Sequence, residues 1–218
     1  MPRVCLFLPA LSSLFLKVSK LKQDSMIDQL IEAFRCLPGV GPKSAQRMVY
    51  HLLQRDPNGG RKLALQLTAT LDSVSQCRQC RNLTELDVCE LCSHPARQGN
   101  TLCVVESPAD VIALEMTGGY KGHYFVLMGT LSPLDGVGPA ELGLELLKTR
   151  CGEGITEVIL AIGSTVEGEA TCHYITASIR PTGVTVSRLA QGIPFGGDLE
   201  FMDGGTLVHA LEGRKQIV

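Results

Sequence analysis

This 218-residue chain has no apolar run long enough to cross a bilayer. The nearest candidate, Val4-Cys5-Leu6-Phe7-Leu8-Pro9-Ala10-Leu11 behind Arg3, is short and interrupted by proline, and it resembles a weak secretory signal more than a span. The chain also lacks an excess of either charge. With 20 Lys and Arg against 22 Asp and Glu, the net charge of -2 argues against a protein that coats nucleic acid nonspecifically. No Ser-His-Asp or Cys-His grouping stands out among five widely spaced histidines, so no nucleophile-and-base arrangement is visible. Nine cysteines, five of them scattered, are not the framework of a secreted disulfide protein, which favours a reducing cytoplasm. Apolar content of 44% and charged content of 19% are ordinary for a globular protein and show no global disorder.

What is there begins with Leu37-Pro38-Gly39-Val40-Gly41-Pro42-Lys43-Ser44-Ala45-Gln46-Arg47. Ile27, Leu30, Ile31 and Phe34 recur at helical spacing before it, predicting an amphipathic helix over 26–36. Pro38 and Gly39 end that helix, and Pro42 fits the first turn of a second one with Met48, Val49, Leu52 and Leu53 as its apolar face. Gly39 and Gly41 let the main chain come close to a ligand, and the unpaired N–H groups opening the second helix attract phosphate. Lys43 and Arg47 are one helical turn apart and project side by side. This is the pattern of a helix-hairpin-helix that grips nucleic-acid backbone without reading bases. The competing reading is an ordinary helical hairpin whose glycines only permit packing.

The coherent pattern starts at Met26, which reads as the physiological start, with residues 1–25 an extension from an upstream start codon. Asp56-Pro57-Asn58-Gly59-Gly60 reads as a break, and Leu63, Leu67, Leu71 and Val74 predict a third helix over 61–74 packed on the first two. Cys77-Arg78-Gln79-Cys80 and Cys89-Glu90-Leu91-Cys92 follow, separated by eight residues. Two C-x-x-C pairs offer four thiolates to a structural zinc ion, one per chain, and a short polar segment without a core of its own needs the metal to fold. Two disulfides, or a redox C-x-x-C, are the alternatives. His94 reads as a spectator, because four thiolates already fill the shell.

From Thr101 the signals alternate. Strands are predicted over 102–105, 124–127, 157–161 and 184–187, and helices from Pro108, over 139–148 and over 166–179. The class is therefore α/β, with a parallel sheet covered on both faces. Functional groups gather beyond the carboxyl ends of such strands, where Glu106, Gly163-Ser164-Thr165, Glu167 and Glu169 fall. Gly192 to Glu200 reads as a loop followed by an edge strand, and Thr206 to Glu212 as a short helix. Charge is uneven along the chain: Met26–Arg81 has eight basic and four acidic residues, and Asn82–Val218 eight basic and seventeen acidic. A basic module facing nucleic acid is thus joined to an acidic body.

Taken together, the hairpin, the four cysteines, Val104-Val105-Glu106-Ser107-Pro108-Ala109-Asp110, Thr165-Val166-Glu167-Gly168-Glu169-Ala170 and the Gly192–Glu200 tail resemble the bacterial RecR family of recombination mediators, from about Met26 to the end. The resemblance implies a helix-hairpin-helix domain over 26–75, a four-cysteine zinc finger over 76–96, a Toprim domain over 97–191 and a self-association tail over 192–218. It also implies a cytoplasmic DNA-binding protein, a dimer or tetrameric ring, that acts with RecO and RecF to load RecA on single-stranded DNA coated by SSB. Toprim enzymes hold magnesium with a Glu after the first strand and an Asp-x-Asp pair after the third. Glu106 supplies the first element, but Gly163-Ser164-Thr165 stands where the pair should be. The expectation is therefore no enzyme. Glu106, Asp110, Glu167 and Glu169 become an acidic rim for partner contact or weak magnesium binding. A metal-dependent Toprim nuclease or primase, and a zinc-ribbon adaptor without a DNA role, are the alternatives.

Overall fold

A computed structural model describes residues 25–97, 99–190 and 192–214. All but Ser25 of the expected extension 1–25 lies outside them. The chain divides into two compact units, Met1–Asp72 and Ser73–Val218.

The first unit opens with α1, Met26–Phe34, which starts at a capping box. The Asp28 N–H donates to Ser25 Oγ, and the Ser25 N–H donates to the Asp28 carboxylate, each at 3.2 Å. The helix stops two residues short of the predicted end, because Arg35, Cys36 and Leu37 bond three residues back and tighten the last turn. The Val40 N–H then closes on the Leu37 carbonyl at 3.2 Å, with Pro38 second in the turn and Gly39 third at a φ of +77°. That is a type II turn, which demands glycine at its third place. Gly41 caps α2, Pro42–Gln54, with proline at its first position. Ala45 and Val49 are fully buried and Leu52 half-buried, while Met48 and Leu53 of the predicted face are exposed.

α3 spans Pro57–Ser73 and so begins four residues earlier than predicted. The Asp56 carboxylate accepts the Gly59 N–H at 2.8 Å and Pro57 takes the first turn, so the apparent break is a helix start. Gly60 rests on Leu52 of α2, but beyond it Leu65, Leu67 and Leu71 are exposed. The predicted packing of the third helix is thus confined to its first turns among the described residues.

The second unit starts with a two-residue antiparallel hairpin, β1 (Ser75–Gln76) and β2 (Leu83–Thr84), and the single turn α4 (Glu90–Ser93). The parallel sheet follows as β3 (Thr101–Val105), α5 (Pro108–Met116), β4 (His123–Val126), α6 (Leu144–Cys151), β5 (Glu157–Ala161), α7 (Val166–Ile179) and β6 (Thr185–Arg188). Spatial order is β4-β3-β5-β6, all parallel, with Val105 beside both Val126 and Ala161. Central β3 is buried on both faces and so reads as an unbroken apolar run. Leu102 and Val104 pack with Leu147, Ile175 and Ile179 of α6 and α7, and Cys103 and Val105 pack with Val111 of α5. The connection after β3 runs to one side and that after β4 to the other, so the order reverses between β3 and β5. Such a switch point opens a crevice at the strands' carboxyl ends.

In the second unit a predicted helix and the tail also differ. α6 begins at Leu144 instead of Pro139, because Gly143 takes a left-handed φ of +68° with the Arg81 guanidinium against it. After Gly192 there is no edge strand among the described residues; a 3-10 turn over Leu199–Phe201 leads to α8, Gly204–Glu212, capped by Asp203. A side chain at Gly168 would drive its Cβ into the Gly163 carbonyl oxygen, so α7 presses directly on the loop after β5. Backbone cannot give way cheaply there. Gly168→Ala should therefore lower stability by about 1–3 kcal/mol despite alanine's better helix propensity, read as a lower denaturant midpoint at unchanged slope.

Candidate functional site

The four predicted thiols converge. Sγ of Cys77, Cys80, Cys89 and Cys92 all lie within 4.8 Å of one another. With Zn–S bonds near 2.3 Å, a tetrahedral site has sulfur–sulfur edges of about 3.8 Å, so the cluster fits a zinc ion. Local hydrogen bonds hold it in shape. The Asn82 N–H points to Cys80 Sγ at 3.4 Å, and the Cys89 N–H points to Cys77 Sγ at 3.3 Å. Arg81 turns the first knuckle at a left-handed φ of +63°, and the Cys77 N–H reaches the Asn82 carbonyl at 2.7 Å. Cys77, Cys80 and Cys89 are at most 5% exposed, and Cys92 is half-buried. None of the four is in a disulfide, and the Cys80 and Cys89 sulfurs are 3.5 Å apart, far beyond a covalent S–S bond. His94 turns to its own loop, where Nδ1 accepts the Ala96 N–H at 3.2 Å.

Crowding sets the protonation of these thiols. The hydrogen bond shared with Cys92, and burial, push Cys80 far above the ordinary thiol range. The same bond, aided by the nearby Arg150 cation, pulls Cys92 down to about 5. Without a cation Cys80 and Cys89 keep their protons, since burial and a neighbouring thiolate both oppose ionisation; a divalent ion among the sulfurs removes that obstacle.

The knuckle is docked on the sheet through contacts that the sequence did not announce. The Val126 N–H of β4 donates to the Cys80 carbonyl at 2.8 Å. Arg150 of α6 donates from Nη1 to the carbonyls of Gln79 at 2.6 Å and Tyr124 at 3.3 Å. In the opposite direction, Arg81 Nη2 reaches the Glu141 carbonyl at 2.7 Å.

In the first unit, Gly39, Gly41, Lys43 and Arg47 lie together and exposed on the turn and the first turns of α2. The first bond closing α2 runs from the Ala45 N–H to the Gly41 carbonyl at 3.0 Å. The amides of Lys43 and Ser44 therefore precede the helix's own ladder. A Cβ built on Gly39 or Gly41 meets nothing within 4 Å, so no packing among the described residues requires glycine there. The Arg47 stem also borders a shallow recess with Phe34, Met48, His51, Leu52 and Leu63.

The four predicted acids are near the switch point but individually engaged. Glu106 Oε1 accepts the Gly163 N–H at 2.6 Å, tying the end of β3 to the loop after β5. Asp110 closes a capping box, accepting both the N–H and the hydroxyl of Ser107 at 2.8 Å. Glu169 takes a two-pronged pair with Arg188, at 2.8 and 2.7 Å, and that hydrogen-bonded guanidinium holds its carboxyl below the usual range. Glu167 is exposed on the first turn of α7. Among the described residues, the four cysteines are the one group of potential ligand atoms gathered at metal-binding distance. Arg188, on β6, carried no signal in the sequence beyond its charge.

Four family models match in order along the chain. They are a RecR helix-hairpin-helix over residues 27–71, a RecR four-cysteine zinc finger domain over 74–94, a Toprim domain over 100–190 and a RecR C-terminal region over 192–215. The chain is similar to recombination protein RecR of Alcanivorax borkumensis, 55% identical over 196 residues that cover 89% of this chain and 98% of that one. It is equally similar to recombination protein RecR of Methylococcus capsulatus, 55% identical over 196 residues, 89% of this chain and 99% of that one.

If the knuckle depends on its metal, elemental analysis of the purified protein should give one zinc per chain. Cys80→Ser or Cys89→Ser should lose the ion and yield unstable or insoluble protein. Folded, zinc-free protein of normal stability would contradict this.

Proposed function

The chain belongs to the RecR family of recombination proteins, and on that premise we propose that it is a non-enzymatic mediator of recombinational DNA repair. In this reading it binds DNA and acts with RecO and RecF to help load RecA on SSB-coated single strands in the cytoplasm. The observation that carries the DNA role is the hairpin. Gly41, which neither packing nor a positive φ requires to be glycine, open amides at a helix start, and Lys43 and Arg47 exposed one turn apart form a cradle for phosphate.

The remaining parts take matching roles. Residues 26–75 form the DNA-binding domain, 76–96 the zinc finger held by Cys77, Cys80, Cys89 and Cys92, 97–191 the Toprim domain, and 192–218 the self-association tail. Exposed Phe195, Leu199 and Phe201 support that tail as a contact between copies, in a dimer or a ring. Glu106, Asp110, Glu167 and Glu169 serve as a partner-facing rim. Three of them are already committed to Gly163, Ser107 and Arg188, which favours this over a metal-holding catalytic set. No described helix is long and apolar enough to cross a membrane.

Phosphate contacts carry no base information, so Lys43→Ala and Arg47→Gln should weaken binding by a similar factor on every DNA sequence. Glutamine retains part of the Arg47 stem against its recess. Each change should also reduce the slope of log affinity against log salt by about 0.7–0.9. Melting temperature and assembly mass should stay close to the parent's. An unchanged salt slope in the double variant would overturn the DNA role of the hairpin, and turnover of labelled nucleic acid with magnesium would overturn the mediator reading in favour of a Toprim nuclease or primase.

A further inference from the structure

We propose that Arg150 is the counter-cation of the zinc site, a residue of the sheet's own helix layer that offsets the charge of the metal-bound thiolates and positions the first knuckle. Arg150 is only 9% exposed. The two groups that Nη1 reaches, the Gln79 and Tyr124 carbonyls, are both neutral. Among the described residues no carboxylate comes within 4.0 Å of its guanidinium, although Arg35, Arg97 and Arg188 each have one. Glu153 lines the same 320 Å³ cavity as Arg150 and still makes no ion pair with it. A buried cation with no anion is costly and rarely kept unless something compensates it.

The compensation lies on the far side of Gln79. That residue sits inside the Cys77–Cys80 pair, so Arg150 holds the first knuckle by its backbone between two of the four ligands. A divalent ion among four thiolates leaves two negative charges in excess. An unpaired buried cation and a dianionic cluster therefore answer each other's need. Arg81 is not the equivalent, because it is less buried than Arg150 and its guanidinium is shared between Gln76 Oε1 at 3.3 Å and the Glu141 carbonyl at 2.7 Å. This assignment does not rest on the DNA role, and DNA affinity is not its readout.

The test compares the full chain with R150K, which keeps the charge, and R150Q, which keeps an N–H donor without it. Zinc transfer to a chromogenic chelator such as pyridylazoresorcinol is the measurement, and the absorption of cobalt-substituted protein reports whether the tetrahedral sulfur geometry is retained. R150Q should hold zinc about 10–100-fold more weakly, as expected for loss of an outer-shell partner, while R150K stays near the parent. Parent-like zinc retention in R150Q would overturn the proposal. Equal loss in both variants would also overturn it, since the guanidinium's shape and not its charge would then matter. Should R150Q fail to fold, R150K decides alone: retention supports the counter-cation, and loss refutes it.

Discussion

Four sulfur atoms held within 4.8 Å of one another repel strongly once ionised, and the knuckle that opens the second unit is built around relieving that repulsion. The hairpin of β1 and β2 is two residues long on each side and cannot stand alone. A metal supplies the folding energy that its few side chains cannot. The resulting knuckle is then not a separate bead on the chain. Arg150 reaches into it from α6, Arg81 reaches out of it to the loop before Gly143, and the Cys80 carbonyl takes an amide of β4. Order in the knuckle and order in the sheet are therefore coupled.

The two candidate surfaces differ in what they leave free. At the hairpin, donors face outward: amides ahead of the α2 ladder and two basic side chains with no acidic neighbour in the described ion pairs. At the switch point the acceptors are spent on the fold itself, Glu106 on the Gly163 amide and Glu169 on Arg188. A surface of open donors suits a polyanion. A carboxylate already holding a backbone N–H must surrender that bond before it can hold a metal, which is a cost that a dedicated metal site does not carry.

Much of this was legible in the sequence because the relevant signals are short-range. The C-x-x-C pairs, the G-x-G-P turn and the apolar strands β3 and β5 each declare themselves within a few residues. Element boundaries were less legible where one residue type can signal two things. Asp56-Pro57 followed by two glycines reads as a break, yet the aspartate cap and the proline start α3. Gly143 reads as a helix residue until its left-handed backbone, crowded by Arg81, shows why α6 must begin after it. Gly192 to Glu200 reads as a loop followed by an edge strand, but the turn at Leu199–Phe201 forms instead. Arg150 was illegible altogether. Its partner Gln79 is 71 residues away, and a lone arginine on a charged helix looks like any solvated one.

A parallel sheet ends in two open edges, and each is an invitation for some other chain to add a strand. On one of them, β4, the Val126 amide is already taken by Cys80. The knuckle thus acts as a cover strip over an apolar edge built from Tyr124, Phe125 and Val126. Loss of the metal would do more than slacken a small loop. It would uncover a sticky seam, turning a local chemical event into a hazard for every copy in solution.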